Sequence, residues 1–346
     1  MKRLFCILAL SLVACNSEKK EGQRAAFSSV IAEPVLEDSL SIRAIEIMGN
    51  TVAFAGSDGN FGVYIPSQEK VNRNRQAFDS IYPEFRAVAS TANDFFMLSV
   101  GNPALLYKTG EQGEMELVYT EEHEKVFYDS MDFWNDLEGI AMGDPTEDCL
   151  SIIITRDGGK SWNKISCADL PKTVEGEAAF AASDSNIAVE GDKTWIVTGG
   201  MESRVFFSPD KGKSWEVHEL PIISGKATTG AYSVDFYDEN NGIVIGGDYT
   251  APQGNTGNKA VTSDGGKTWK LVSDGKDPGY KSSVRYVPGG AGKEIVGVGF
   301  TGISYSEDGG ESWKKISDEG FYTIRFVNDS VAYAAGKNRL ARLRFK

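Results

Sequence analysis

Thr155-Arg-Asp157-Gly-Gly159-Lys-Ser-Trp162, Ser208-Pro-Asp210-Lys-Gly212-Lys-Ser-Trp215, Thr262-Ser-Asp264-Gly-Gly266-Lys-Thr-Trp269 and Ser306-Glu-Asp308-Gly-Gly310-Glu-Ser-Trp313 are four copies of one pattern, Ser/Thr-x-Asp-x-Gly-x-x-Trp. They recur at intervals of 53, 54 and 44 residues. A period of about 40–50 residues marks an array of like supersecondary units, each burying its apolar face against the next. Within a copy, the Asp side chain accepts hydrogen bonds from backbone N–H groups and Gly supplies a positive φ, so the eight residues read as a hairpin turn. The hydroxyl residue ends one strand, and Trp opens the next with its ring folded onto the turn. The flanks agree: Ser151-Ile-Ile-Ile154 and Val205-Phe-Phe207 precede copies, and Asn163-Lys-Ile165 and Glu216-Val217 follow them.

The pattern resembles the Asp-box, or bacterial neuraminidase repeat, of β-propellers. That resemblance implies a turn lock on the rim away from the active face. A second repeat is a short apolar strand ending in Gly. It appears at Val52-Ala-Phe-Ala-Gly56, Phe96-Met-Leu-Ser-Val-Gly101, Gly139-Ile-Ala-Met-Gly143, Trp195-Ile-Val-Thr-Gly199, Gly242-Ile-Val-Ile-Gly-Gly247, Ile295-Val-Gly-Val-Gly299 and Val331-Ala-Tyr-Ala-Ala-Gly336. Seven such strands predict an all-β, single seven-bladed propeller of four-stranded antiparallel blades over residues 28–346. The last unit has room for three strands before Lys346, so an N-terminal strand from Ser29-Val-Ile-Ala32 and Val35-Leu36 is expected to complete the last blade and close the ring.

The chain starts with Lys2-Arg3, an apolar run from Leu4 to Leu12, and Leu12-Val-Ala-Cys15, which resembles a bacterial lipobox. The run is too short to span a bilayer. Residues 1–14 are therefore expected to be a lipoprotein signal peptide, Cys15 the lipidation site, and residues 15–27 a flexible tether. This would anchor the protein in a bacterial cell envelope, with the lipid its only membrane contact. Removing Lys2 and Arg3 takes the formal charge from −13 to −15, which argues against nucleic-acid binding. Cys149 and Cys167 flank the first repeated turn, whose centre lies midway between them. Outside the cytosol that favours a cross-strand disulfide.

In a four-stranded meander the turn after the third strand shares a rim with the turn after the first. The strand starts and the turns after the Gly-ended strands share the opposite rim. On that rim the sequence places Arg43, Arg86 and Asp129 at innermost-strand starts, then Ala181, Ser233, Ser283 and Thr323 at the later ones. Asn102, Asp144 and Asp248-Tyr249 follow second strands, Glu177 precedes the fourth unit, and a long insertion runs from Asp248 to Asn258. Arg43, Arg86, Asn102, Asp129, Asp144, Glu177, Asp248 and Tyr249 are the candidate ligand-binding residues, since Arg gives bidentate recognition of carboxylate or phosphate. Asp129, Asp144 and Glu177 are the candidates for a catalytic carboxylate pair. His123 and His218 form no metal or nucleophile constellation, and no Gly-x-Gly-x-x-Gly opens a helix, so neither a metal nor a cofactor is expected.

Over nearly the whole mature chain the sequence resembles single-propeller lipoproteins related to the photosystem II stability/assembly factor. The stretches that carry this are Gly101-Asn-Pro, Phe127-Tyr-Asp-Ser-Met131, Gly139-Ile-Ala-Met-Gly-Asp-Pro145 and Gly247-Asp-Tyr249. The resemblance implies a monomeric, non-catalytic protein that binds an envelope protein or glycan on the rim opposite its Asp-boxes. A glycoside hydrolase or lyase is the alternative, and an oxidoreductase, as some such proteins are labelled, comes third. A sialidase would need an Arg-Ile-Pro motif, which is absent; Tyr322-Thr-Ile-Arg-Phe326 lacks the Pro.

Overall fold

The computed structural model describes residues 25–346, whose regular elements are strands apart from three single-turn 3-10 helices. The expected signal peptide, Cys15 and all but the end of the expected tether lie outside the described residues. Phe27, the last residue of that tether, is 1% exposed and packs against Tyr305 and Phe345.

The strands alternate in the residues they give to two different apolar layers, which is why the second strands are hydrophobic on both faces. In Gly139–Gly143, Ala141 joins the cluster of Phe96, Tyr128 and Trp162, whereas Ile140 and Met142 join that of Ile196 and Phe206. In Gly242–Asp248, Val244 packs with Trp195 and Val205, while Ile243 and Ile245 pack with Val284 and Ile295. Each sheet is thus held between two neighbours, and the sheets arrange radially around a central channel.

The hydrogen-bonded sheets number six, so the propeller has six blades and not the seven expected. Four are four-stranded meanders: Phe85–Ser90 to Met115–Glu121, Tyr128–Phe133 to Asn163–Lys164, Ile187–Glu190 to Glu216–Glu219, and Ser283–Tyr286 to Lys314–Ser317. Two sheets are six-stranded, and they explain the difference. Val30–Met48 is 19 residues long; its first half pairs with Phe345 back to Arg339, and its second half with Gly56 back to Thr51. One continuous strand therefore fuses the N- and C-terminal hairpins into a single closing sheet, where separate first and last blades were expected.

The second six-stranded sheet arises at a glycine pair. Glu177–Ala178 pairs with Gly199–Gly200, and Gly199 lies opposite Gly230 of Thr229–Phe236. A Cβ on Gly230, where φ is +149°, would overlap the Gly199 Cα, so only glycine allows this approach. The chain between these strands does not form the innermost strand expected at Ala181. Instead, residues 179–186 cross the channel, and the innermost strand is Ile187–Glu190.

The four repeated turns share one hydrogen-bond scheme. In the first, the Gly159 N–H donates to Thr155 Oγ1 (2.9 Å), while Asp157 accepts from the Ser161 N–H (3.0 Å), the Ser161 hydroxyl (2.7 Å) and the Thr155 hydroxyl (2.9 Å). Asp210, Asp264 and Asp308 do the same with Ser208 and Ser214, Thr262 and Thr268, and Ser306 and Ser312. The indoles of Trp215, Trp269 and Trp313 donate back to the carbonyls of Gly212, Gly266 and Gly310. Trp162 instead packs edge-on against Phe133. Gly159, at φ +76°, also sits where a Cβ would overlap the Phe96 ring, so the turn is pressed onto the preceding blade. Cys149 and Cys167 form a disulfide with a Cα–Cα distance of 5.5 Å.

Candidate functional site

The segment 179–186 divides the central channel into two mouths. Asp184, at φ +54°, is its keystone. Its carboxylate accepts from the Val88 N–H (2.9 Å), the Ser130 hydroxyl (2.9 Å) and the Met131 N–H (3.1 Å). Arg325 donates to the Asp184 carbonyl at 2.8 Å, and the Ser183 hydroxyl donates to the Ser282 carbonyl. Four sheets thus hold one plug. Burial pushes the Asp184 pKa up to about 6, with Arg325 opposing.

Below the plug, on the rim of the repeated turns, Glu46, Asp132, Asp235, Arg285 and Arg325 line a polar cavity of about 220 Å³. These groups largely answer one another: Arg285 lies 3.6 Å from Asp235, and Arg325 lies 3.9 Å from both Glu46 and Asp184. Burial raises Glu46 to about 7 and lowers Arg285 to about 10.

Above the plug is a different environment. A cavity of about 440 Å³ is walled by Phe127, Phe180, Tyr232, Tyr249, Tyr280, Phe300 and Tyr322, floored by Ala179, Ala181 and Ala182, and flanked by Arg43 and Arg86. No carboxylate is among these lining residues. Phe180 and Tyr232 stack face to face at 3.9 Å, and Tyr280 meets Tyr232 edge-on at 4.8 Å. Arg43 lies 4.1 Å over the Tyr322 ring and donates to the Ala182 carbonyl at 3.2 Å. Its buried Nε has no partner. Burial first, and then the neighbouring Arg86, hold its pKa below the usual range. Arg86 donates to Glu84 at 3.3 Å.

The structure therefore brings together Arg43, Arg86 and Tyr249 from the residues singled out in the sequence. Asp248 stands beside Tyr249 but turns its carboxylate to the Thr250 N–H and hydroxyl (2.9 and 2.6 Å). Asn102, followed by a cis peptide bond to Pro103, is exposed and does not line the cavity. Asp129 is 0% exposed, behind the wall. Burial and the nearby Asp144 raise its pKa well above the usual range, with Arg86 opposing. Asp144 accepts from the Ala179 N–H at 2.7 Å, and burial raises it to about 6. Glu177 belongs to a lock: its carboxylate takes both Arg204 Nε (3.0 Å) and Nη2, the Thr198 hydroxyl (2.7 Å) and the Val174 N–H (3.1 Å). The three carboxylates do not face one another across this cavity.

Sequence reasoning missed Phe127, Phe180, Tyr232, Tyr280, Phe300 and Tyr322. A signal was present for four of them. Phe127 directly precedes the innermost strand Tyr128–Phe133. Tyr232 and Tyr322 stand at or beside innermost-strand starts, and Phe300 directly follows the Gly-ended strand Ile295–Gly299. Phe180 had none, because it belongs to the plug and not to a strand.

No family model and no curated protein matches the chain in sequence. Solved structures do. YCF48 bound to D1 peptide superposes with a TM-score of 0.66 at 14% identity, covering 93% of this chain and 98% of that one. YCF48 from Cyanidioschyzon merolae gives 0.62 at 13% identity over 92% and 98%. The WD40 β-propeller domain of Doa1 gives 0.59 at 11% identity over 92% and 97%. The chain shares the β-propeller fold with all three. At these identities the likeness concerns the fold alone.

Proposed function

We propose that this protein is a non-catalytic binding propeller whose partner is another protein, docked over the aromatic and arginine-lined mouth on the rim opposite the four turns. The observation that carries the reading is the composition of that mouth: seven aromatic rings and two guanidinium groups around one cavity, with no carboxylate among its lining residues. Buried aromatic and Arg side chains dominate the energetics of protein recognition. The similarity to a propeller recorded with a bound peptide supports the same reading. Within it, the four turns act as Asp-box locks, and a lipid on Cys15 holds the propeller in the bacterial envelope.

The test is site-specific photo-crosslinking in the native envelope. A photoreactive residue replacing Phe300 or Tyr249, which are 46% and 47% exposed at the mouth, should capture a protein partner. The same residue replacing Lys213, on a repeated turn, should not. Adducts formed only from position 213 would refute the docking face.

A further inference from the structure

The aromatic mouth is not isolated. A cleft of about 510 Å³ adjoins it, lined by Lys125, Asp144, Glu147, Asp148, Glu175 and Glu177 among others, so Asp144 and Glu177 share this cleft although neither lines the mouth. The two share a wall: Lys125 lines the cleft and Phe127 the mouth, while Ala178 lines the cleft and Ala179 the mouth. Lining residues of the two cavities are therefore chain neighbours at two places, which sets the cavities side by side.

We infer, resting on the docking face proposed above, that mouth and cleft form one groove for an extended peptide with a fixed charge order: an acidic residue beside an aromatic anchor in the mouth, and a basic residue in the cleft. The mouth asks for a carboxylate. Among the described residues Arg43 makes no ion pair, its Nε lacks an acceptor, and it stands beside a second guanidinium. A ligand carboxylate would pair with the half-buried Arg43 guanidinium and relieve the repulsion, while an aromatic side chain packs in the mouth against the rings that line it.

The cleft asks for the opposite sign. Asp148 is occupied by Lys172, but Glu147 and Glu175 form no ion pair among the described residues, and Lys125 is the single cation in the lining. The two signs together select the occupant. An anionic saccharide supplies only the charge that suits the mouth, and the cleft carboxylates repel the rest of it. A peptide supplies both charges at residue spacing.

The experiment uses the full chain in detergent and two capped, fluorescein-labelled hexapeptides of identical composition. One carries glutamate directly before tryptophan and lysine two positions after it; in the other, glutamate and lysine exchange places. The first should bind at least about tenfold tighter by anisotropy, because like charges set against each other in a groove are strongly disfavoured. Arg43→Gln should erase most of that ratio, and so should the double change Glu147→Gln with Glu175→Gln. The second variant alters only surface groups and guards against misfolding at the buried arginine. Equal binding of the two peptides, no binding of either at millimolar concentration, or stronger competition by an oligogalacturonate than by the unlabelled first peptide would each overturn the charge order. Crosslinks from position 300 with no peptide preference would sink this inference and leave the docking face standing. Crosslinks from position 213 alone would sink both.

Discussion

Removing Arg204 tests the assignment of Glu177 to the fold instead of to a site. The Glu177 side chain is 0% exposed and that of Arg204 14%, and the carboxylate takes two of its four donors from the guanidinium. Arg204 also donates to the Lys172 carbonyl at 3.0 Å, which ties down the chain leading into the plug. Arg204→Met keeps the apolar stem and leaves an anion sealed in protein with only the Thr198 hydroxyl and the Val174 N–H. Breaking a buried pair from one side costs about 3–5 kcal/mol. With an unfolding entropy of roughly 0.7 kcal/mol/K for a folded chain of this length, the melting temperature should fall by ~4–7 °C. Adding Glu177→Gln to Arg204→Met removes the stranded charge and should recover about half of the loss. Differential scanning calorimetry on the two single variants and the double variant measures this cycle, and peptide or partner binding at the mouth should survive in all of them. A loss below about 1 kcal/mol for Arg204→Met would show that the pair behaves as an exposed one. Normal stability with abolished binding would return Glu177 to the functional residues.

Asp210→Ala deletes the acceptor for the Ser208, Lys213 and Ser214 groups at one turn and should cost about 1–2 kcal/mol, the range of a lost cap, without altering binding at the opposite mouth; urea titration reads the first and anisotropy the second. Thiol titration of unreduced, denatured protein should find neither Cys149 nor Cys167, and replacing both with Ser should cost about 3 kcal/mol for a loop of that length, so two free thiols would contradict the bond. Stability should decline between about pH 5 and pH 8. Burial holds Asp144 and Asp184 up to about 6 and Glu46 up to about 7, so the folded state keeps protons that the unfolded state has released, and their contribution, complete below the unfolded carboxyl pKa, is lost as pH rises through these values. A melting temperature that climbs steadily from pH 5 to pH 8 would contradict these shifts, and Asp144→Asn should flatten the decline. At the acid end Asp264 is raised most by burial but lowered overall to about 2 by the combined hydrogen bonds from Thr268, Thr262 and the Lys267 N–H, so it gives stability that disappears as pH falls from the usual Asp range through that value; Asp264→Asn should therefore flatten the acid limb of the same melting curves.

How much of the site could be read in the sequence depended on where its parts come from. Arg43 and Arg86 lie in regular strands at a fixed phase of the repeat, so counting strands put them on the correct rim. Asp129 shares that phase, yet the same count could not see that its side chain turns behind the wall to face Asp144. Glu177 looked like a free carboxylate because Arg204 is 27 residues away and meets it only where Glu177–Ala178 pairs with Gly199–Gly200, a few residues before Arg204. The number of blades failed for a similar reason: each repeat predicts a local meander, but whether Val30–Met48 breaks between its two partners is settled by continuous pairing on both sides.

The sequence alone determined the β-propeller class, the four turn locks and the rim on which they lie, because those depend on short-range geometry: an Asp reaching its own turn, a Gly at positive φ, and apolar residues alternating with period two. The tertiary structure decided the fusion into six sheets, the plug across the channel and the collection of rings from several blades into one mouth. Each of these is an encounter between residues tens to hundreds of positions apart, and it is made by packing and charge burial that no local pattern encodes.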